Sequence, residues 1–178
     1  MAHRKTDVLM LYPLDLVALE ERFGSWMTQY GYANYVTQTK LLERGKVVNG
    51  AIEMAGRRFT TLVALFEPFP SHDLLDMMEQ LTAEGGRVVW SGPPAQLSRE
   101  GDSIGGRWST VFGVDRPEDP YRAVLGRMAP GVRIDFEGPL DGVPTQTVLT
   151  DFLVDRIYPV SPRDGVAVAA RTHEDVAG

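Results

Sequence analysis

The sequence predicts an α/β domain with a mostly parallel central sheet, and two observations carry that prediction. Three largely apolar runs, at residues 7–12, 60–66 and 87–90, are typical of strands buried on both faces of a parallel sheet. Apolar residues at helical spacing follow the first two runs, at residues 16–30 and 74–81. Because helical connections return to a sheet with right-handed crossovers, this alternation indicates βαβ units.

The ends of the predicted elements carry their own signals. Residues 32–36 form a short predicted strand, and the helix after it, over residues 37–44, ends at Gly45. Ser71 is the expected N-cap of the next helix, because its hydroxyl can accept from a free backbone N–H of the first turn. The buried stripe of that helix comprises Leu74, Leu75, Met78 and Leu81.

Residues 46–59 interrupt this alternation. Asn49-Gly50 and Ala55-Gly56 punctuate the segment at hairpin distance. Asn-Gly is favoured in two-residue hairpin turns, because both central residues of a type I′ turn need positive φ. We therefore predict a β-hairpin insertion ahead of the strand at residues 60–66.

The second half of the chain is less regular. Residues 97–106 form a polar, glycine-bearing predicted loop, and one more helix is expected around residues 121–128. Strands are predicted at residues 132–136, 146–153 and 166–170.

Length favours a single domain over residues 1–178, since a chain of this size can bury one sizeable core. The sequence stops soon after a predicted strand, which also fits a fragment of a longer polypeptide. No apolar run approaches the roughly 20 residues that span a bilayer, and no secretory signal is visible at the start. We expect a cytoplasmic protein without membrane association.

Composition excludes several kinds of chemistry. The chain contains no cysteine, so disulfides, thiolate metal sites and thiolate nucleophiles are all excluded within it. A net charge of −6 argues against a nucleic-acid partner, because phosphate binding needs a basic surface. Lys40, Arg44 and Lys46 are interpreted as solvated surface charges.

Side chains at the ends of the predicted strands are the candidates for ligand binding, because open parallel sheets bind ligands at their carboxyl edge. These candidates are Tyr12, Asp15, Glu67 and Ser91. The Glu67 carboxylate could bind a sugar hydroxyl or an arginine of a partner, or it could be an exposed turn acid with no role. Asp15 and Glu67 could also form the carboxylate pair of a glycoside hydrolase, although no motif supports that pairing.

No cofactor, metal or catalytic residue is predicted. His3, His72 and His173 are far apart in sequence, and no metal-ligand spacing is present. The loop after the first strand, residues 12–15, has no glycine to cradle the phosphates of a flavin or dinucleotide. Ser71 stands beside His72 at a helix start, where a first-turn surface role is the simpler interpretation.

An aromatic group could supply an interface. Its members are Trp26, Tyr30, Tyr32 and Tyr35. Aromatic rings with a polar tip suit both protein contacts and sugar stacking. Helical spacing of Phe23, Met27 and Tyr30 instead favours core packing for part of the group, and these alternatives stay open.

Several phrases together resemble a known domain. They are residues 32–37, the hairpin before residues 57–59, the strand at 61–66, and residues 84–92. They are similar to the amidotransferase-like domain of bacterial glycoside hydrolases, notably the trimerisation domain of family 42 beta-galactosidases. The resemblance covers about half of the chain, and its motifs are patterns at the level of the fold.

This resemblance implies a flavodoxin-like, class I glutamine-amidotransferase-like three-layer sandwich. It also implies a bacterial accessory or oligomerisation domain that does no chemistry itself, in a carbohydrate-active, glycoside hydrolase-like protein. The implied partners are further copies of the chain or a catalytic domain of the same polypeptide. The alternatives are a carbohydrate or small-molecule binding domain that uses the strand ends, and a hydrolase with an unrecognised carboxylate site.

Overall fold

The structure is a computed structural model of the 178-residue chain, and it describes residues 6–11, 33–65, 67–118, 132–142 and 158–174. The chain divides into two compact units, Met1–Val111 and Phe112–Gly178. This division is one of internal packing, and the single domain over residues 1–178 stays a prediction. None of the helices in the described ranges has the length and apolar character that crossing a bilayer requires.

The structure describes seven strands and three helices between residues 8 and 112. In chain order they are β1 (Val8–Leu11), β2 (Asn34–Val36), α1 (Gln38–Arg44), β3 (Lys46–Val48), β4 (Ala51–Met54), β5 (Arg57–Phe59), β6 (Thr61–Leu65), α2 (His72–Ala83), β7 (Arg87–Ser91) and α3 (Gly105–Phe112).

A four-stranded parallel sheet is the centre of the first unit, with strand order β2-β1-β6-β7. Leu9, Met10 and Leu11 in β1 each expose 2% of their surface or less. Such burial matches a strand covered on both faces, as the near-continuous apolar run predicts. The predicted α/β class with a parallel sheet is confirmed, and the helix predicted over residues 16–30 lies outside the described residues.

Helix α2 forms as its sequence signals indicate. The Oγ of Ser71 accepts a hydrogen bond from the Leu74 backbone N–H at 3.1 Å, so the predicted N-cap is confirmed. All four residues of the predicted stripe are fully buried. Burial of each of these side chains stabilises the fold by roughly 2 kcal/mol, which fixes the helix against its neighbours.

Residues 46–59 form a three-stranded antiparallel sheet, in the order β3-β4-β5, which we call the meander. Two-residue turns join its strands, at Asn49-Gly50 and at Ala55-Gly56. All four turn residues have positive φ, between 48° and 72°, as type I′ turns require. The segment predicted as a hairpin therefore contains two hairpins that share β4.

Helix α3 is absent from the sequence-based prediction, which gives a loop as far as residue 106. Gly105 and Gly106 occupy its first turn, and glycine is a poor helix former, so local propensity conceals it. Trp108 exposes only 4% of its surface, and burial of this large ring stabilises the helix that its intrinsic propensity does not favour.

The second unit contains two described antiparallel pairs. Their strands are β8 (Val114–Asp115), β9 (Val132–Phe136), β10 (Ser161–Pro162) and β11 (Ala170–Glu174), which pair as β8 with β10 and β9 with β11. The prediction at residues 132–136 is confirmed. The strand predicted over residues 166–170 is wrong. The strand that pairs with β9 begins at Ala170 and continues to Glu174, so most of the predicted apolar run lies before it.

Two other predictions in this half, the helix at residues 121–128 and the strand at residues 146–153, lie outside the described residues.

Candidate functional site

The carboxyl ends of the parallel strands meet at one edge of the sheet, which we call the carboxyl edge. Leu65, the last residue of β6, pairs with Ser91, the last residue of β7. Glu67 follows Leu65 by two positions, so Glu67 and Ser91 both belong to this edge. Tyr12 and Asp15 lie outside the described residues, as does the carboxylate pair predicted between Asp15 and Glu67.

Glu67 and Ser91 differ in their access to solvent. Glu67 exposes 7% of its surface, whereas Ser91 is exposed. The alternative interpretation of Glu67 as an exposed turn acid is therefore wrong: the turn between β6 and α2 folds it inward, between the buried Pro68 and the end of the strand. A residue that exposes only 7% of its surface presents little area to a sugar in solution.

Gln38, which the sequence analysis did not identify, joins two helix starts at this edge. It is the first residue of α1, exposes 4% of its surface, and its Oε1 accepts a 2.7 Å hydrogen bond from the Ser71 backbone N–H. Within the described residues, its Nε2 has no hydrogen-bond partner. No sequence signal marks this contact, because it joins residues 33 positions apart.

A loop at residues 92–104 lies along the same edge and is fastened to it by Arg99. The Arg99 backbone N–H donates to the Pro70 carbonyl at 3.3 Å, and its Nη1 donates to Thr39 Oγ1 at 3.2 Å. Ser98 is buried in this loop and exposes 3% of its surface. The polar groups of the loop thus hold the edge together.

Among the three histidines, the structure describes the side chain of His72 alone. Its Nε2 lies 3.3 Å from Asp102 Oδ2, and both side chains are well exposed. Among the described residues, no side-chain hydroxyl hydrogen-bonds to the imidazole. The structure places His72 at the start of α2, where the sequence predicts a first-turn surface residue.

Arg107 links α3 to α2 through two carboxylates. Its Nε and Nη2 donate to the two carboxylate oxygens of Glu79 at 3.1 and 3.0 Å, and Nη2 also donates to Asp76. The hydrogen bonds that Arg107 donates to Glu79, and then the one to Asp76, raise the pKa of Arg107 further above its usual value. The guanidinium stays charged, and its role in the described structure is to hold α3 in place.

The predicted aromatic group lies mostly outside the described residues, which include Tyr35 but not Trp26, Tyr30 or Tyr32. Tyr35 is on β2 and exposes 37% of its surface. A different aromatic pair, Trp90 and Trp108, packs edge to face with ring centroids 5.7 Å apart. These two rings support the core, and Trp90 Nε1 donates to the Pro93 carbonyl at 3.0 Å.

Exposed apolar side chains mark the carboxyl edge. Phe69, in the turn between β6 and α2, exposes 49% of its surface, and Leu97, in the loop after β7, exposes 45%. The sequence carries a local signal for the turn at Phe69, because Pro68 and Pro70 hold the backbone there in an extended turn. The exposure itself depends on the fold and could not be read from composition.

The described residues contain no group of three or more His, Asp or Glu side chains placed to hold a metal ion. Comparisons of the chain with protein-family models, with curated proteins and with solved structures find no match.

Proposed function

We propose that this chain is a non-catalytic accessory module that assembles copies of a glycoside hydrolase-like, carbohydrate-active protein through its carboxyl edge. One observation carries the proposal: at this edge Glu67 and Gln38 are buried, whereas Phe69 and Leu97 are exposed. Exposed apolar side chains next to buried polar ones suit protein contact better than binding of a polar substrate.

The finer fold assignment is part of this proposal. The four parallel strands, numbered along the chain, stand in the order 2-1-3-4, which is the order of the first four strands of a flavodoxin-like sheet. This order supports a flavodoxin-like, amidotransferase-like three-layer sandwich, with the meander as an insertion between α1 and β6. The resemblance to the trimerisation domain of family 42 beta-galactosidases supports self-association as the role.

An amidotransferase reaction is disfavoured by the residues of this chain. That chemistry needs a thiolate nucleophile at a strand-to-helix turn, and the chain has no cysteine. The corresponding turn carries Glu67, which is buried. The proposed link to carbohydrates rests on the resemblance, because the similar domains are found in glycoside hydrolases.

Size-exclusion chromatography with light scattering tests the assembly role. We expect the wild-type chain to elute as an oligomer and the double variant Phe69→Asp/Leu97→Asp to elute with the mass of one chain, because two buried charges would oppose association. The matched control is Val48→Asp, which adds a charge at an exposed apolar position of the meander and should leave the oligomer intact.

A wild-type chain that is monomeric at all concentrations, or an oligomer that the double variant leaves unchanged, would count against assembly through this edge. Calorimetric titration with a panel of sugars separates the main alternative, since saturable heat that is lost in Ser91→Ala would instead support a carbohydrate-binding module. Circular dichroism of each variant distinguishes loss of association from loss of folding.

A further inference from the structure

An open cleft of about 470 Å³ lies at one end of the meander, away from the carboxyl edge, and a volume of this size can hold a small molecule. Four cationic side chains and one carboxylate contribute to its wall. The lining residues are Arg44, Lys46, Glu53, Met54, Ala55, Gly56, Arg57 and Arg58.

A cross-strand row forms one part of the lining. In the pairing of the meander, Glu53 on β4 stands opposite Lys46 on β3 and opposite Arg58 on β5. Glu53 makes its ion pair with Arg58, at 3.0 Å between Nη1 and Oε1, and both side chains are about half exposed. Glu53 therefore stands opposite two cations in the strand pairing, and it forms its ion pair with Arg58.

Arg44 and Lys46 are the uncompensated charges of the cleft. Arg44 ends α1 and Lys46 begins β3, so only Gly45 separates them along the chain. Within the described residues, neither side chain has a carboxylate within ion-pair distance. Both side chains line the same cleft, so an anion bound there could pair with two cations that have no carboxylate partner of their own.

Arg57 adds a guanidinium that is already fixed in position. Its Nη1 donates to Asn34 Oδ1 at 3.1 Å, and its guanidinium carbon stands 5.3 Å from the centre of the Phe59 ring. A cation held by such contacts loses little conformational freedom when a ligand binds. The wall therefore includes a preorganised positive charge at Arg57.

The charge of the cleft is opposite to that of the chain. The whole chain has a net charge of −6, yet cationic side chains outnumber carboxylates in this lining. The turn residue Ala55 also lines the cleft with a φ of 52°, a left-handed conformation that is strained for alanine. Positive charge and local backbone strain thus coincide in one concave surface.

We propose that this cleft binds a phosphate group, either free or as the ester of a small molecule. A phosphate carries close to two negative charges on one centre, which matches two unpaired cations on adjacent elements better than the two separated carboxylates of a dicarboxylate do. The inference is independent of the assembly role, because the meander and the carboxyl edge use different residues. It assigns to Arg44 and Lys46 a role beyond that of solvated surface charges.

Isothermal titration of the full chain tests this assignment with inorganic phosphate, phenyl phosphate and succinate at about 50 mM ionic strength. We expect saturable binding of at least one phosphate probe and weaker binding of succinate. The double variant Arg44→Gln/Lys46→Gln should weaken phosphate binding by about tenfold or more. Phenyl phosphate binding at least as tightly as inorganic phosphate would identify an ester as the ligand, and the reverse order would identify free phosphate.

Lys40→Gln/Arg87→Gln is the matched control, since it removes the same two residue types from exposed positions outside the cleft and gives the same net charge. This control should bind phosphate as the wild type does. Glu53→Gln removes the carboxylate of the lining and should tighten binding by about threefold. Absence of saturable binding by both phosphate probes, succinate binding equal to phosphate, or equal losses in the two double variants would overturn the proposal.

Discussion

The two turns of the meander have the same backbone form but different surroundings. Asn49-Gly50 and Ala55-Gly56 are both two-residue turns with positive φ. Gly50 is buried against the end of α2, where its N–H donates to Glu84 Oε2 at 3.1 Å. Gly56 is exposed, and a Cβ added to it would meet no atom of the described residues within 4 Å.

This contrast shows how one local conformation serves two purposes. The first turn packs closely against the end of α2. A Cβ on Gly50 would lie only 2.4 Å from the Glu84 carbonyl oxygen, so only glycine allows this approach. The second turn has no such close approach to a described element at Gly56, and its two residues line the open cationic cleft. The backbone requirement is set by the hairpin, and the role of each turn is set by what lies next to it.

The largest expected effect comes from adding a methyl group to each turn. Gly50→Ala should lower the free energy of unfolding by about 3 kcal/mol, because a left-handed alanine is strained and its Cβ overlaps a backbone oxygen. Gly56→Ala should cost only about 1 kcal/mol, since it adds the strain without the overlap. Urea denaturation of both variants measures the difference in the free energy of unfolding. Equal decreases in the two variants would show that Gly50 does not pack closely against α2.

Exchanging the residue types at the first turn positions should give effects of opposite sign. Ala55→Asn should raise the free energy of unfolding by about 0.5 kcal/mol, because asparagine tolerates a left-handed conformation better than alanine. Asn49→Ala should lower it by about 1 kcal/mol for the same reason. Thermal unfolding of the two variants checks the signs, and a loss in Ala55→Asn would mean that alanine is not strained there.

The smallest expected effect is a pH dependence at the docked turn. Hydrogen bonds from Gln80 and then from the Gly50 N–H lower the pKa of Glu84 below its usual value. Because the folded pKa is the lower one, ionised Glu84 stabilises the protein above its unfolded pKa. That contribution is lost as the pH falls through the folded value.

Unfolding of the wild type and of Glu84→Gln at about pH 6 and about pH 3 measures this contribution. We expect the wild type to be the more stable at the higher pH and the difference to shrink at the lower pH. A difference that stays constant between the two conditions would mean that Glu84 does not titrate against the turn.

Much of the fold near these turns could be predicted from local residues. Ser71 caps α2 and the stripe after it is buried, because a hydroxyl acceptor and a 3.6-residue period act within a few positions of the chain. The candidate site was predictable only in outline. Strand ends assign Glu67 and Ser91 to the same edge of the sheet, but they give no information about which of the two is buried.

Other features depend on residues that are distant in the sequence. Gln38 is explained by the Ser71 N–H, 33 positions away, and α3 by the burial of Trp108. Arg44 and Lys46 look like ordinary surface charges until the meander places Glu53 beside Arg58. Such contacts leave no periodic signal, so single-sequence reasoning cannot identify them.

The sequence by itself determined the alternation of strands and helices, the capped start of α2, the positions of the tight turns and the absence of thiol chemistry. These features follow from local sterics, side-chain period and composition. Only the tertiary structure decided which polar groups are buried, which apolar side chains stay exposed and which cations lack partners. Burial and charge pairing depend on how distant segments pack together, because desolvation and Coulomb interactions act through space.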